Sequence, residues 1–285
     1  VIYADAKPVL VDSELETWNI DINKIKDKIT NRTKAIMIVH AYGHPVDIDK
    51  LRKISNKYHI PMIEDAAEAH GAAYKGKKSG SLSDVGCFSF YHNKIMTTGE
   101  GGMCLTNSKE TNDKIRLLRA QGKAKEEELK GDDLIEKRYY HEIIGFNYRM
   151  TDLQAAIGIA QIKKLDENLK KRKKIAAVYN EEFSKYDIKT MKTTKNVEPS
   201  CWVYPLIFKD GKTRLRVGRA LKENNLPFSS VFWPCHKQPF YYKKEKLPIA
   251  EGISERGLII PCSHLMTEKE ALDLTTFIIK AVQNA

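Results

Sequence analysis

Two spacings of apolar residues divide the first two-thirds of the 285-residue chain. Short runs at "KPVLVD" (7–12), "KAIMIVH" (34–40), "IPMIEDA" (60–66), "DVGCFSFY" (84–91) and "GGMCLT" (101–106) read as strands. Between them, "DINKIKDKI" (21–29) and "DIDKLRKISNKYH" (47–59) carry apolar residues at helical spacing. The run at 34–40 is apolar at nearly every position, which predicts a strand covered on both faces. Strands alternating with helices predict an α/β layered domain with a largely parallel sheet.

A long helical stretch, 153–186, follows "GFNYRMTD" (145–152). Past residue 187 the character changes. "CWVYPLIF" (201–208) reads as a strand, "RLRVGRALKENN" (214–225) as a helix and "TEKEALDLTTFIIKAV" (267–282) as a closing helix. The expected organisation is a large domain over 1–186, ending in a long connecting helix, and a smaller α+β domain over 187–285. The chain opens in mid-pattern at "VIYADAKPVLVD", with no cap or leader, so its sheet is expected to lack strands that a complete enzyme has.

Composition narrows the class. At 42% apolar and 30% charged residues, the chain is expected to be globular and soluble. No uncharged apolar run is long enough for a membrane span, and no amino-terminal signal pattern is present. The net charge is +11, but the lysines are spread along the chain without a basic stripe interleaved with aromatics. That pattern favours anionic small ligands over nucleic acid. The five cysteines, Cys87, Cys104, Cys201, Cys235 and Cys262, are odd in number and include no CxxC pair. They predict packed thiols in the cytoplasm, with neither a disulfide frame nor a metal site.

Ligands of largely parallel sheets bind beyond the carboxyl ends of the strands, where Asp65, Glu68 and Ser89 are expected to fall. In "IEDAAEAHGA" (63–72), Asp65, Glu68 and His70 lie within six residues. Such a group suits a metal, an acid–base pair or a cofactor clamp, or Asp65 simply caps a helix. The further carboxylates or histidines that a metal needs are not nearby. Lys94, in "SFYHNKIMTTGEGG" (89–102), is either a solvated charge or an amine that bonds covalently to a ligand. An amine of the second kind must lose its proton, which needs a desolvated, electropositive pocket. A pyridine cofactor in turn needs a carboxylate that keeps its ring nitrogen protonated. One strand-end aspartate and one lysine on a neighbouring strand end supply both. "TTGEGG" (97–102) has neither GxxxxGK nor GxGxxG spacing, so its glycines are expected to turn the backbone sharply against a ligand. Ser89 either donates to a phosphate or belongs to a surface turn.

"EDAAEAHGA", "SFYHNKIMTTGEGGM" and "GFNYRMTDLQAAIGIAQ" resemble, in order, the three signature stretches of the DegT/DnrJ/EryC1/StrS sugar aminotransferases. "AKPVLVDSELETWNID", "AYGHPVDID" and "GLIIPCS" fit the same family, so the likeness covers nearly the whole chain. The resemblance implies the α/β fold type I of pyridoxal 5'-phosphate-dependent transferases (aspartate aminotransferase-like), a mostly parallel sheet with helices on both faces and a smaller C-terminal α+β domain. It also implies roles for individual residues. Lys94 would bind the cofactor covalently, Asp65 would pair with the pyridine nitrogen, Glu68 would contact the ring region and 3-hydroxyl, and Ser89 would hold the phosphate. Asn147 would reach the phosphate bound to the partner subunit of a homodimer with shared sites. Arg149 and His236 would line the nucleotide-sugar site. Lysine rather than histidine at position 94 favours amination over 3-dehydration.

Within the family, "YHNKIMTTGEGGM" and "ETWNID" are most similar to members that aminate C4 of GDP-4-keto-6-deoxymannose, with glutamate as donor. A UDP- or dTDP-linked keto sugar, or a catalytically silent homologue, is the alternative. Two departures accompany the likeness. Family members carry roughly 80–90 further residues ahead of "AKPV", the scale of a partial domain. Where many have "TRP" before "FYPLH", this chain has Phe228, Ser229 and Ser230.

Overall fold

The computed structural model describes residues 1–123, 139–241 and 245–283. In β1 (Ile36–Val39), Ile36 and Ile38 are buried while Met37 and Val39 stand on the opposite face, the two-residue alternation of a strand packed on one side. Asp47 caps α1 (Ile48–Tyr58) by accepting the Lys50 N–H at 3.2 Å, and Ile48, Leu51 and Ile54 form its buried stripe. β2 (Met62–Asp65) runs parallel to β1, with Val39 opposite Asp65. A short hairpin, β3 (Ala73–Tyr74) and β4 (Lys77–Lys78), precedes β5 (Val85–Ser89), which is parallel to β2. β6 (Gly102–Leu105) turns back antiparallel to β5, giving the order β1-β2-β5-β6.

Among the described residues, three helices follow: α2 (Lys109–Arg119), α3 (Asp152–Ile162) and α4 (Leu165–Phe183). Then come β7 (Lys189–Thr190), β8 (Val197–Glu198), which pairs with β3, and β9 (Tyr204–Ile207). The chain closes through α5 (Gly211–Glu223), β10 (Ser229–Ser230), α6 (Pro248–Arg256), β11 (Gly257–Ile260) and α7 (Glu268–Gln283). A second sheet, ordered β10-β11-β9-β7, is antiparallel throughout. Tyr179, Phe183, Leu206, Phe208, Leu221, Leu258 and Ile278 lock it to α4, α5 and α7. Among the described residues no helix is long and apolar enough to cross a membrane.

Several expectations need correction. Residues 7–12 form no strand: the apolar alternation is there, but no neighbouring strand among the described residues takes up its backbone hydrogen bonds. Residues 21–29 form two 3₁₀ turns, Ile22–Lys24 and Lys26–Lys28, rather than one α-helix. Only Ile25 of that segment is buried, too little apolar surface to hold a longer helix. The 153–186 stretch is two helices broken at Lys163 and Lys164. The strand at 34–40 is packed on one face only, since Met37 and Val39 are 47% and 44% exposed. The thiols of Cys87 and Cys104 are not packed away either: the first is half-buried and the second exposed.

Candidate active site

β2 sorts two adjacent carboxylates by strand alternation. Glu64 points into the core, and Asp65 ends the strand on the other face. One Asp65 oxygen accepts the Ala67 N–H at 3.0 Å, which folds the chain back over the strand end. Glu68 follows in this turn, buried, with its Oε2 accepting the Tyr42 N–H at 2.6 Å. That contact needs an unusual backbone. Tyr42 has φ 55°, and Gly43, at φ 87°, approaches so closely that a Cβ there would lie 2.8 Å from the Glu68 carbonyl oxygen.

Lys94 lies in the loop after β5, its backbone N–H donated to the Tyr91 carbonyl at 3.0 Å. Its Nζ sits over the Trp202 ring, 3.9 Å from the centroid. Trp202 is fixed by its own Nε1–H, donated to the Asn93 carbonyl at 2.8 Å. Phe232 stacks on Trp202 with centroids 6.4 Å apart, and Tyr42 stacks on Phe232 at 5.6 Å. An aromatic stack therefore runs from the second sheet's end of the molecule to the turn that holds Glu68.

The charges respond to burial. Desolvation holds the Lys94 ammonium below its ordinary pKa, against the opposing pull of Glu68 and Asp65. Burial pushes the Glu68 carboxyl up to about 7; Asp65 adds to this, while the Tyr42 amide and Lys94 oppose it. His70 packs against Phe88 and Phe90 at 5.1 and 5.8 Å, and burial, with Lys94 second, pushes it down to about 4. Among the described residues, neither of its ring nitrogens finds a hydrogen bond of ordinary geometry.

The remaining expected residues are placed as follows. Ser89 ends β5 beside this loop, its Oγ accepting the Tyr91 N–H at a long 3.4 Å. Asn147 is exposed and forms an isolated bridge with Ala120. Arg149 is exposed too, donating from Nη1 to Gln121 Oε1 at 3.3 Å. His236 is buried, its Nε2 paired with Glu251 Oε1 at 2.9 Å. Lys94, Asp65 and Glu68 are thus brought into mutual electrostatic reach, with Ser89 at the neighbouring strand end. Sequence reasoning missed Tyr42, Trp202 and Phe232, which come from three distant segments. The one local signal was a tryptophan directly ahead of the β9 run.

These side chains fit a phosphorylated pyridine aldehyde. An amine whose pKa desolvation lowers, a carboxylate whose second oxygen accepts no hydrogen bond among the described residues, and a strand-end hydroxyl are all unspent. Among the described residues no group of three or more His, Cys, Asp or Glu is placed to hold a metal.

Comparison with known proteins gives the same direction. Residues 1–278 match the model of the DegT/DnrJ/EryC1/StrS aminotransferase family. The chain is 40% identical to the GDP-perosamine synthase of Caulobacter vibrioides, over 95% of this chain and 72% of that protein. It is 35% identical to the UDP-4-amino-4,6-dideoxy-N-acetyl-beta-L-altrosamine transaminase of Campylobacter jejuni, over 95% of this chain and 72% of that one. The solved aminotransferase from Psychrobacter cryohalolentis superposes with a TM-score of 0.87 at 27% identity, covering 98% of this chain and 76% of that structure.

Proposed function

The chain belongs to the DegT/DnrJ/EryC1/StrS aminotransferase family, and we propose that it aminates C4 of GDP-4-keto-6-deoxy-D-mannose to give GDP-perosamine, with glutamate as amino donor. Its fold is that of fold type I transferases, and its cofactor is pyridoxal 5'-phosphate. When bound, the cofactor supplies an aldehyde carbon that exchanges amino groups and a ring that accepts the electron pair left on the substrate carbon.

The chain's own residues do the rest. Lys94 Nζ would hold the cofactor covalently through its aldehyde carbon. As a free amine it would take the proton from the α-carbon of glutamate and deliver one to C4 of the sugar. Its depressed pKa suits both tasks, because the neutral amine is the nucleophile and the base. Asp65 would keep a proton on the ring nitrogen. Glu68, held by the Tyr42 amide, would contact the ring region and its 3-hydroxyl, and the Ser89 hydroxyl would donate to the phosphate. Asn147 would reach the phosphate held by the partner subunit of a homodimer, and Arg149 and His236 would serve the nucleotide-sugar.

The observation that carries this reading is Lys94: an amine desolvated over an aromatic face, in the field of two carboxylates. The GDP-linked substrate is supported by the 40% identity to a GDP-perosamine synthase. The 35% identity to a UDP-sugar transaminase favours a second reading, in which the nucleotide is UDP. Incubation with pyridoxal phosphate, glutamate and a panel of GDP-, UDP- and dTDP-linked 4-keto sugars, followed by product masses, separates them. Amination of the GDP sugar is expected, and preference for another nucleotide would overturn the assignment. Lys94→Ala should abolish the visible absorbance of the bound cofactor and, with it, turnover.

A further inference from the structure

One row across the large sheet reads Val39, Asp65, Cys87, Cys104. Residues opposite one another on neighbouring strands project from the same face. The row therefore sets two thiols next to each other and beside the Asp65 strand end. The Sγ atoms of Cys87 and Cys104 are 3.8 Å apart.

The ladder also sets the backbone spacing. Phe90 donates its N–H to the Gly101 carbonyl at 2.9 Å, so this pair is hydrogen-bonded. Bonded and non-bonded pairs alternate along an antiparallel ladder. Stepping back through Ser89–Gly102 and Phe88–Met103 makes Cys87–Cys104 a non-bonded pair. Such pairs hold their Cα atoms about 4.5 Å apart, within the span that a disulfide bridges without backbone movement. The two thiols also differ. Cys104 is exposed and Cys87 half-buried. The contact between the two thiols lowers the Cys104 thiol to about 6 and, with burial, pushes Cys87 up.

We propose that Cys87 and Cys104 form a reversible dithiol–disulfide site, closed by exchange with a small-molecule disulfide. The Cys104 thiolate attacks one sulfur of that disulfide and expels a first small thiolate, leaving a mixed disulfide on Cys104. Cys87 then loses its proton to solvent and attacks the Cys104 sulfur. The protein S–S bond forms as the second small thiolate leaves. Two protein thiols are oxidised, and one small disulfide is reduced to two thiols. The closed bond ties β5 to β6 beside Asp65 and two residues before Ser89, whatever sugar the enzyme takes.

The test is equilibration of the native chain with glutathione at graded reduced-to-oxidised ratios, alkylation of free thiols and peptide mapping by mass. The expected result is a Cys87–Cys104 linkage, with loss of two of the five titratable thiols, restored on reduction. Cys87→Ser should instead trap stable glutathione on Cys104, and Cys235→Ser should leave the linkage unchanged. Cys87 and Cys104 recovered free, or each carrying glutathione without a linkage, at the most oxidising ratio would overturn the proposal. So would a linkage that forms only in denaturant.

Discussion

Glu64, within β2, and Glu68, in the turn after it, are both buried, yet they have opposite fates. Glu64 is fully buried and saturated. It accepts from His40 Nε2 at 2.8 Å, from the Leu82 N–H at 2.9 Å and from the Gly80 N–H. Burial pushes its carboxyl up, but His40 and the two amides outweigh burial and hold it below the ordinary value. Glu68 receives one backbone N–H, from Tyr42, and burial wins. The lesson is that hydrogen-bond supply, not depth, separates a carboxylate that holds the fold from one left available for chemistry. Asp65, next to Glu64 in sequence, is under-supplied in the same way as Glu68, with one amide on one oxygen.

The largest expected effect tests the division within β2 itself. Asp65→Asn should keep the bound cofactor's absorbance but lower turnover by about 10²–10⁴-fold, the range for losing a positioned proton. Its unfolding midpoint in urea should stay close to the parent's. Unchanged kinetics would remove Asp65 from the chemistry and leave it a turn-forming residue.

Glu64→Gln should show the reverse. The new NH2 would stand either at Oε1, against His40 and the Gly80 N–H, or at Oε2, against the Leu82 N–H, so a buried donor faces a donor in both orientations. A loss of about 3–5 kcal/mol in unfolding free energy is expected near pH 7. The sign of its pH dependence follows from the depressed carboxyl. Glu64 stabilises the fold above its ordinary value of 4.5, and that contribution fades as pH falls below it. Parent and variant should therefore converge in acid. A midpoint unchanged at neutral pH would mean that the saturated cluster does not hold the fold.

Glu68→Gln should move stability the other way. With its folded-state value raised from 4.5 to about 7, Glu68 favours the fold while protonated and costs stability as pH rises through that interval. In the cofactor-free protein, the glutamine variant should be about 2–3 kcal/mol more stable than the parent near pH 8 and nearly equal near pH 5. Chemical denaturation at the two pH values checks this. Destabilisation at both would make Glu68 a second structural carboxylate and end the contrast.

Much of this site was legible in the chain because its parts are local. Asp65, Glu68, Ser89 and Lys94 each follow a strand whose apolar run is plain, and β1, β2, β5 and β6 lie within the segments that periodicity marks. What stayed hidden depends on tertiary contact. The Tyr42–Phe232–Trp202 stack joins three segments with no common spacing. The Cys87–Cys104 pair depends on the register of β5 against β6, which a turn containing Lys94 sets and the apolar pattern does not. The antiparallel direction of β6 escaped notice for the same reason: "GGMCLT" reads as a strand in either orientation.

The smallest expected effect concerns what holds Lys94 in the field of the two carboxylates. Trp202 does two things: its Nε1–H anchors the Asn93 carbonyl, and its face supports the ammonium. Trp202→Phe removes the first and keeps an aromatic face, at a cost of about 0.5–1.5 kcal/mol for the lost hydrogen bond. Trp202→Leu removes both, forfeiting in addition about 0.5–2 kcal/mol of cation–π attraction that favours the charged amine. Relative to the phenylalanine variant, the leucine variant should leave Lys94 more easily deprotonated, so that in the cofactor-free protein it acylates faster at a fixed pH near neutrality. Water entering the space left by the ring would act oppositely, solvating the ammonium and slowing acylation. Faster acylation in the leucine variant therefore assigns the tuning of Lys94 to the π face. Slower acylation assigns it to exclusion of water, and Glu68, desolvated by the same stack, should then move down toward its ordinary value in that variant.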